Sequence, residues 1–324
     1  MQVAPETGGR AGSVTATPVP GRVSDLGLCA KYGGPGEREP TPSTLSPSVH
    51  RATMTITFAI IRPPSPSFVD AIGQVEGAAP IDLMAALHQH KAYQKVLESL
   101  GCQVIRLPMD DRFPDACFVE DTAVIIGDAA LVTVPGAESR RGEAAKIAWT
   151  LGNLADGALS LTQMELPATL DGGDVLRLGD TFYVGLSSRT NQAGLDVLTS
   201  IAVPRGYRVV PVTVPGGVLH LKSHATALDA ETLLCAPGWL PEATGVRRVE
   251  VPAEELYAAN ALAIGKDVLV SANHPRTAEL IAAAGFNPIA VINHEFAKAA
   301  GSLTCLSILV ELPTPPGVPD DDGA

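Results

Sequence analysis

Three stretches of the chain share one outline: FVEDTAVIIGDAALVTV (118–134), DVLRLGDTFYVGL (174–186) and NALAIGKDVLVS (260–271). Each reads as strand, tight turn, strand. The turns are Gly127-Asp128, Gly179-Asp180 and Gly265-Lys266, and the first strands are Phe118–Ile126, Asp174–Leu178 and Asn260–Ile264. Glycine suits the positive φ that such short hairpins demand. Each hairpin then enters a helix through a polar or proline start: Ser139-Arg140-Arg141, Ser188-Arg189-Thr190-Asn191 and His274-Pro275-Arg276-Thr277. A further strand follows two of these helices, at Tyr207–Val214 and Asn287–Ile292. Leu219–Ala227 with Glu231–Ala236 reads as a weaker fourth copy.

A fifth unit is split between the ends of the core. Leu303–Leu312 supplies one strand and Thr55–Ile61 another, with a helix and the strand Cys102–Leu107 after it. In that helix Tyr93, Val96, Leu97 and Leu100 keep the i, i+3, i+4, i+7 spacing of a buried face, and Gly101 ends it. Five ββαβ units of about fifty residues predict a radial array closed by the split unit. A doubly wound sheet would alternate single strands with helices, which the hairpins contradict.

The array accounts for residues 54–312. Residues 1–53 hold seven Pro, eight Gly and one aromatic residue, Tyr32, with no hydrophobic period. They are expected to be disordered, as is the Pro- and Asp-rich tail 313–324. Twenty-three Lys+Arg against 35 Asp+Glu leave a net charge of −12, the wrong sign for a nucleic-acid-binding surface. No apolar run approaches the ~20 residues of a membrane span. Five cysteines, widely spaced and without a CxxC pair, suggest a reducing, cytoplasmic compartment rather than disulfides or structural zinc. Cys102, Cys117 and Cys235 lie in apolar runs and read as small buried hydrophobes.

The first strands carry polar residues lodged among apolar ones: Asp115, Glu120 and Asp121; Asp171 and Asp174; His220, Lys222 and His224; Asn260; Thr304 and Cys305. If these strands line the axis, the polar residues converge there. Adjacent strand residues face opposite sides, so Glu120 and Asp121 point apart. His220 and His224, read as strand residues, stand too far apart to chelate a metal. His88-x-His90 diverges on a helix, and His294-Glu295 lacks the second histidine of a zinc protease. No GxSxG, phosphate loop or dinucleotide fingerprint is present. Cys305, at the mouth of the last strand after a helix-like stretch, sits where a thiol of lowered pKa is expected. With a histidine and acidic residues on other units, it makes a possible nucleophile, acid/base and orienter.

The segments FPDACFVEDTA, LDGGDVL, FYVGLSSRTNQAG, LHLKS and GSLTCLS, in this order and spacing, resemble the dimethylarginine dimethylaminohydrolases across 54–312. The resemblance implies a five-bladed α/β propeller of the pentein type. It implies hydrolysis of methylated arginine to citrulline, with Cys305 as nucleophile, His220 as acid/base and Asp171 as the acid beside it. Asp115, Glu120 and Asp121 fall where the family holds the substrate's cationic ends. Arg140 and Arg189 match the arginines that grip the substrate carboxylate and shape the pocket. Ile72 and Ala299 match a loop contact and a main-chain contact. No metal or organic cofactor is implied, although thiolate and imidazole would also suit zinc as an inhibitor. Arginine deiminase or amidinotransferase chemistry is the neighbouring alternative, and a non-catalytic propeller the alternative from another class. A chain beginning at Met54 is expected to keep the melting temperature and activity of the full chain; a loss of several degrees would mean that residues 1–53 support the core.

Overall fold

The computed structural model describes residues 55–313. The segments expected to be disordered, 1–53 and 313–324, lie outside these residues except for Pro313, which ends the last strand.

The chain runs through β1 (Thr55–Ile61), α1 (Leu83–Ser99) and β2 (Gln103–Arg106). It continues through β3 (Ala123–Ile126), β4 (Ala129–Val132), α2 (Ala144–Gly152) and β5 (Ser160–Gln163). Next come β6 (Val175–Leu178), β7 (Thr181–Leu186), α3 (Gln192–Ala202) and β8 (Arg208–Thr213). The fourth unit has β9 (Ala225–Ala227), β10 (Thr232–Cys235) and β11 (Arg247–Glu250), with turns where the others carry a helix. The last unit in sequence has β12 (Leu262–Ile264), β13 (Asp267–Ser271), α4 (Pro275–Ala283) and β14 (Asn287–Val291). A short helix, α5 (His294–Ala297), leads to β15 (Ser307–Pro313).

The strands form separate three-stranded sheets, ordered β15-β1-β2, β3-β4-β5, β6-β7-β8, β9-β10-β11 and β12-β13-β14. In every sheet the middle strand pairs antiparallel with the first and parallel with the third. The split unit is real: Phe58 of β1 faces Val310 on one side and Gln103 on the other.

No sheet this small buries its own faces, so neighbours must do it. The five apolar clusters are each shared by two adjacent sheets. Ile60, Val132, Ile147 and Val310 join the split unit to the first hairpin unit. Ile126, Leu131, Phe182 and Leu198 join that unit to the next. Tyr183 meets Leu233, Leu234 meets Val268, and Leu269 meets Leu97 in the same way around the circle. The last of these brings the ring back to β1, and the fold is a closed propeller. Helices pack outside. On α1, Tyr93 and Leu97 are buried, Val96 and Leu100 partly so, and Asp82 caps the helix by accepting from the Ala85 amide.

The first strands are shorter than their apolar runs suggest. Phe118–Ile126, Asp174–Leu178, Leu219–Ala227, Asn260–Ile264 and Leu303–Leu312 do not begin as strands. Each is entered through a 3-10 turn: Val119–Thr122, Gly172–Asp174, Leu221–Ser223, Ala253–Ala259 and Thr304–Leu306. The reason is polar. Buried carboxylates need N–H donors nearby, and a tight turn frees backbone amides that a ladder would consume. The axial polar residues therefore sit on equivalent turns of a repeated unit.

Those turns approach closely enough that glycine is required. A Cβ on Gly172 would lie 2.0 Å from the Glu120 carbonyl oxygen, and one on Gly173 would lie 2.6 Å from His220 Nδ1. Gly172→Ala is expected to destabilise the fold by about 3 kcal/mol through forced overpacking, lowering Tm by roughly 5–10 °C. Gly216→Ala, where a Cβ meets nothing within 4 Å, is the control and should leave Tm in place.

Candidate active site

The turns deliver their polar side chains to one place. Cys305 and His220 line two small adjoining cavities. One is walled by Asp115, Asp121, Arg140, Arg189, Ile72 and Ala299; the other by Glu120, Lys222, Tyr257, Asn260 and Ser302. Every residue to which the resemblance gave a role except Asp171 lines one or both, and Asp171 is bonded to His220 behind the wall; Asp174, His224 and Thr304 of the axial strands line neither.

Asp121 is at the centre. Its Oδ2 accepts from Arg140 Nη1 at 2.6 Å and its Oδ1 from the Gly173 amide at 2.9 Å, and His220 Nε2 stands 4.0 Å from Oδ1. Burial would raise its pKa, but the positive charges of His220 and Arg140 and these hydrogen bonds hold it below the usual carboxylate range. Asp171 is fully buried and accepts from His220 Nε2 at 2.9 Å and from the Gly136 amide at 2.8 Å. Asp174, on the same turn, accepts from Ser187, Thr190 and the Leu221 amide. Burial opposes a charge on His220; the Asp121 charge, the hydrogen bond His220 donates to Asp171 and the charge of Asp174 overcome it and raise its pKa to about 9. His220 is thus an imidazolium at neutral pH.

Cys305 is partly buried, and its Sγ accepts from the Ser302 amide at 3.4 Å. The expected lowering of its pKa is reversed. Burial, then the negative charges of Glu120 and Asp121, push the thiol well above its ordinary value, against smaller opposing effects of the Ser302 amide and Lys222. Among the described residues no hydrogen bond joins His220 to Cys305. The site therefore holds a neutral thiol beside an imidazolium, with burial and the Glu120 and Asp121 carboxylates keeping the proton on the sulfur.

The two arginines differ. Arg140 is buried and commits its guanidinium to Glu143, Asp121 and the Phe118 carbonyl. It positions Asp121 and shapes the wall, and is not free to grip a carboxylate. Among the described residues the Arg189 guanidinium bonds only Asp171, at 3.5 Å, and its side chain stays 16% exposed. Asp115 accepts from the Ile72 amide at 3.0 Å, and burial raises its pKa despite Arg140. Ile72 is exposed at the rim, while Ala299 is buried with its carbonyl against Gly73. Glu120 lines the other cavity from Asp121, but both sit on the 3-10 turn Val119–Thr122 and not on the strand that the alternation argument assumed; Glu120 accepts from Lys222 Nζ and Thr304 Oγ1.

Asp121, Asp171 and His220 bring possible metal-ligating atoms within 4.8 Å of one another. Arg140 and Arg189 already bond that cluster, so its donor set suits a guanidinium partner rather than a resident cation. His224 packs edge-on against Trp239, 4.9 Å between centroids, and does not join His220.

Residues 74–249 match the family model described as N,N dimethylarginine dimethylhydrolase, eukaryotic. N(G),N(G)-dimethylarginine dimethylaminohydrolase from Pseudomonas aeruginosa is 37% identical over 251 residues, covering 77% of this chain and 97% of that protein. The Streptomyces coelicolor enzyme of the same name is 41% identical over 255 residues, covering 77% and 95%. The chain belongs to the dimethylarginine dimethylaminohydrolase family. The Pseudomonas aeruginosa structure, a cysteine-to-serine variant with citrulline, superposes with a TM-score of 0.73 at 36% identity, covering 78% of this chain and 98% of that one. The N-terminal domain of a cyanobacterial arginine dihydrolase shares the fold at 19% identity and a TM-score of 0.68.

Glu143, Asp174, Lys222, Asn260, Ser302 and Thr304 contribute to this dimethylarginine dimethylaminohydrolase site without being singled out as site residues. Asp174, Lys222, Asn260 and Thr304 carried the available signal, a polar residue at the start of an axial strand. Glu143 carried none, because its pairing with Arg140 depends on the entry to α2. His220 is expected to titrate near pH 9 in histidine-labelled NMR spectra, and Asp121→Asn to lower that value. Its folded pKa lies above the ordinary 6.5, so its stabilisation is complete below about pH 6.5 and lost as pH rises through about 9.

Proposed function

We propose that the chain hydrolyses Nω-methylated arginine, asymmetric dimethylarginine or monomethylarginine, to citrulline and dimethylamine or methylamine. Family membership supports the reaction class. The observation that carries the residue assignment is one cavity system in which the Cys305 thiol, the His220 imidazolium and the carboxylates of the 115–121 segment meet from three different blades.

In this reading Asp121 and Glu120 face the guanidinium, Asp115 takes the α-amino group and Arg189 the α-carboxylate. Arg140 shapes the wall, Ile72 covers the entrance and the Ala299 main chain completes it. A guanidinium carbon resists attack because resonance enriches it in electrons; carboxylates fix it in line with the sulfur. The arriving cation offsets the charges that keep Cys305 protonated, and the thiol releases its proton. The thiolate adds to the guanidinium carbon, His220 gives a proton to the departing amine, and an S-alkylthiouronium remains on Cys305. His220, now neutral, takes a proton from water as it attacks; the C–S bond breaks, and citrulline and the free cysteine result. Asp171 holds His220 through both protonation states. We place the catalytic unit at 54–312 and the protein in the cytoplasm, on the unpaired cysteine pattern; the partner is a small arginine derivative.

The test is product analysis on dimethylarginine and on arginine. Citrulline with dimethylamine from the first supports the reading; ammonia from arginine alone replaces it with a deiminase. Cys305→Ser should abolish turnover in a folded protein, and His220→Ala should lower kcat by about 10²–10⁴-fold. Asp121→Asn should weaken substrate binding by roughly 30-fold or more.

A further inference from the structure

Asn260 ends the 3-10 turn before β12 and is buried, 3% exposed, in the cavity wall beside Cys305. Every polar atom it offers toward the site is engaged. Oδ1 accepts from the Thr304 amide at 3.1 Å; Nδ2 donates to the Lys222 carbonyl and to Thr304 Oγ1, both at 3.0 Å. Its own carbonyl accepts from Ser302 Oγ at 3.2 Å. The amide cannot be flipped, since Nδ2 would then oppose the Thr304 N–H, donor against donor.

The bonds close a circuit. Thr304 Oγ1, accepting from Asn260, donates to Glu120 Oε2 at 2.8 Å; Glu120 Oε1 accepts from Lys222 Nζ; the Lys222 carbonyl returns to Asn260. The circuit crosses four blades, contains Thr304 next to Cys305 in the chain, and fixes Glu120 and Lys222, whose opposed charges act on the sulfur. Asn260 itself bears no charge.

Taking Cys305 as the nucleophile of the reaction proposed above, we infer that Asn260 is a positioning residue that sets the place and the ionisation of that thiol through Thr304, Glu120 and Lys222. Such a residue acts on kcat first and on affinity only weakly, because Asp121 in the other cavity holds the guanidinium and Glu120, which also faces it, keeps its bond from Lys222 Nζ when Asn260 or Thr304 is changed.

The test is Asn260→Asp, nearly isosteric, with Thr304→Val as a second variant that cuts the circuit without adding charge. The carboxylate cannot donate to Thr304 or Lys222 and adds negative charge near Glu120. Asn260→Asp should lower kcat at least ~10-fold with KM within ~3-fold, and Thr304→Val should lower kcat ~5-fold with KM held. Rates are taken per Cys305 titrated with an irreversible thiol reagent, which removes any unfolded fraction. In the substrate-free protein, iodoacetamide labelling of Cys305 in Asn260→Asp should move to higher pH. Wild-type kcat per titrated site together with a wild-type labelling profile overturns the inference, as does a raised KM at unchanged kcat. A wild type that makes no citrulline defeats the functional reading instead, and the labelling profile still decides the role of Asn260.

Discussion

The Asp121 carboxylate carries the site. It is buried, bonded to the Arg140 guanidinium on one oxygen and to the Gly173 amide on the other, and it faces His220. Burying such a charge without partners would cost several kcal/mol. Its partners come from its own blade and the next two, so the full set requires the propeller to be assembled. Arg140 is in turn held by Glu143, His220 by Asp171, and the two glycines of the 171–174 turn let these groups approach. Fold and site are thus one constraint: closure of the ring brings together charges that no blade could stabilise alone.

The same charges set the resting state of the nucleophile. Burial is the first cause that keeps Cys305 protonated, and the carboxylate charge that overcomes burial to keep His220 protonated adds to it. A preformed thiolate–imidazolium pair would be reactive toward any electrophile. A neutral thiol that ionises when a cation arrives couples reactivity to the presence of a guanidinium. In the proposed reaction selectivity then comes partly from charge, and partly from the half-buried Arg189 and the buried Asp115, the groups assigned there to the amino-acid end.

Much of this was legible in the residues. Repeated Gly-turn hairpins gave the five units, and the split unit fixed the closure, because Leu303–Leu312 and Thr55–Ile61 lacked any other partner. Cys305, His220 and Asp171 were visible as chemistry-bearing types in apolar runs. Three matters were not legible. The axial segments begin as 3-10 turns, because hydrogen-bond demand at buried carboxylates outweighs the β-propensity of runs such as Phe118–Ile126. Arg140 looks identical to Arg189 in sequence, and only Glu143 at the entry to α2 tells them apart. The pKa of Cys305 is raised first by burial and then by Glu120 and Asp121 from another blade, which together reverse what its position after a short helix suggests.

Thiolate absorbance tests this charge arrangement directly. The ultraviolet difference between the wild type and Cys305→Ser should show no thiolate at neutral pH in the free protein, since Cys305 is held as a thiol. Saturation with an arginine-like guanidinium that is not turned over should make the thiolate band appear and should release a proton. A full thiolate band in the free protein at neutral pH, unchanged by the ligand, would contradict the substrate-triggered nucleophile and restore a preformed ion pair.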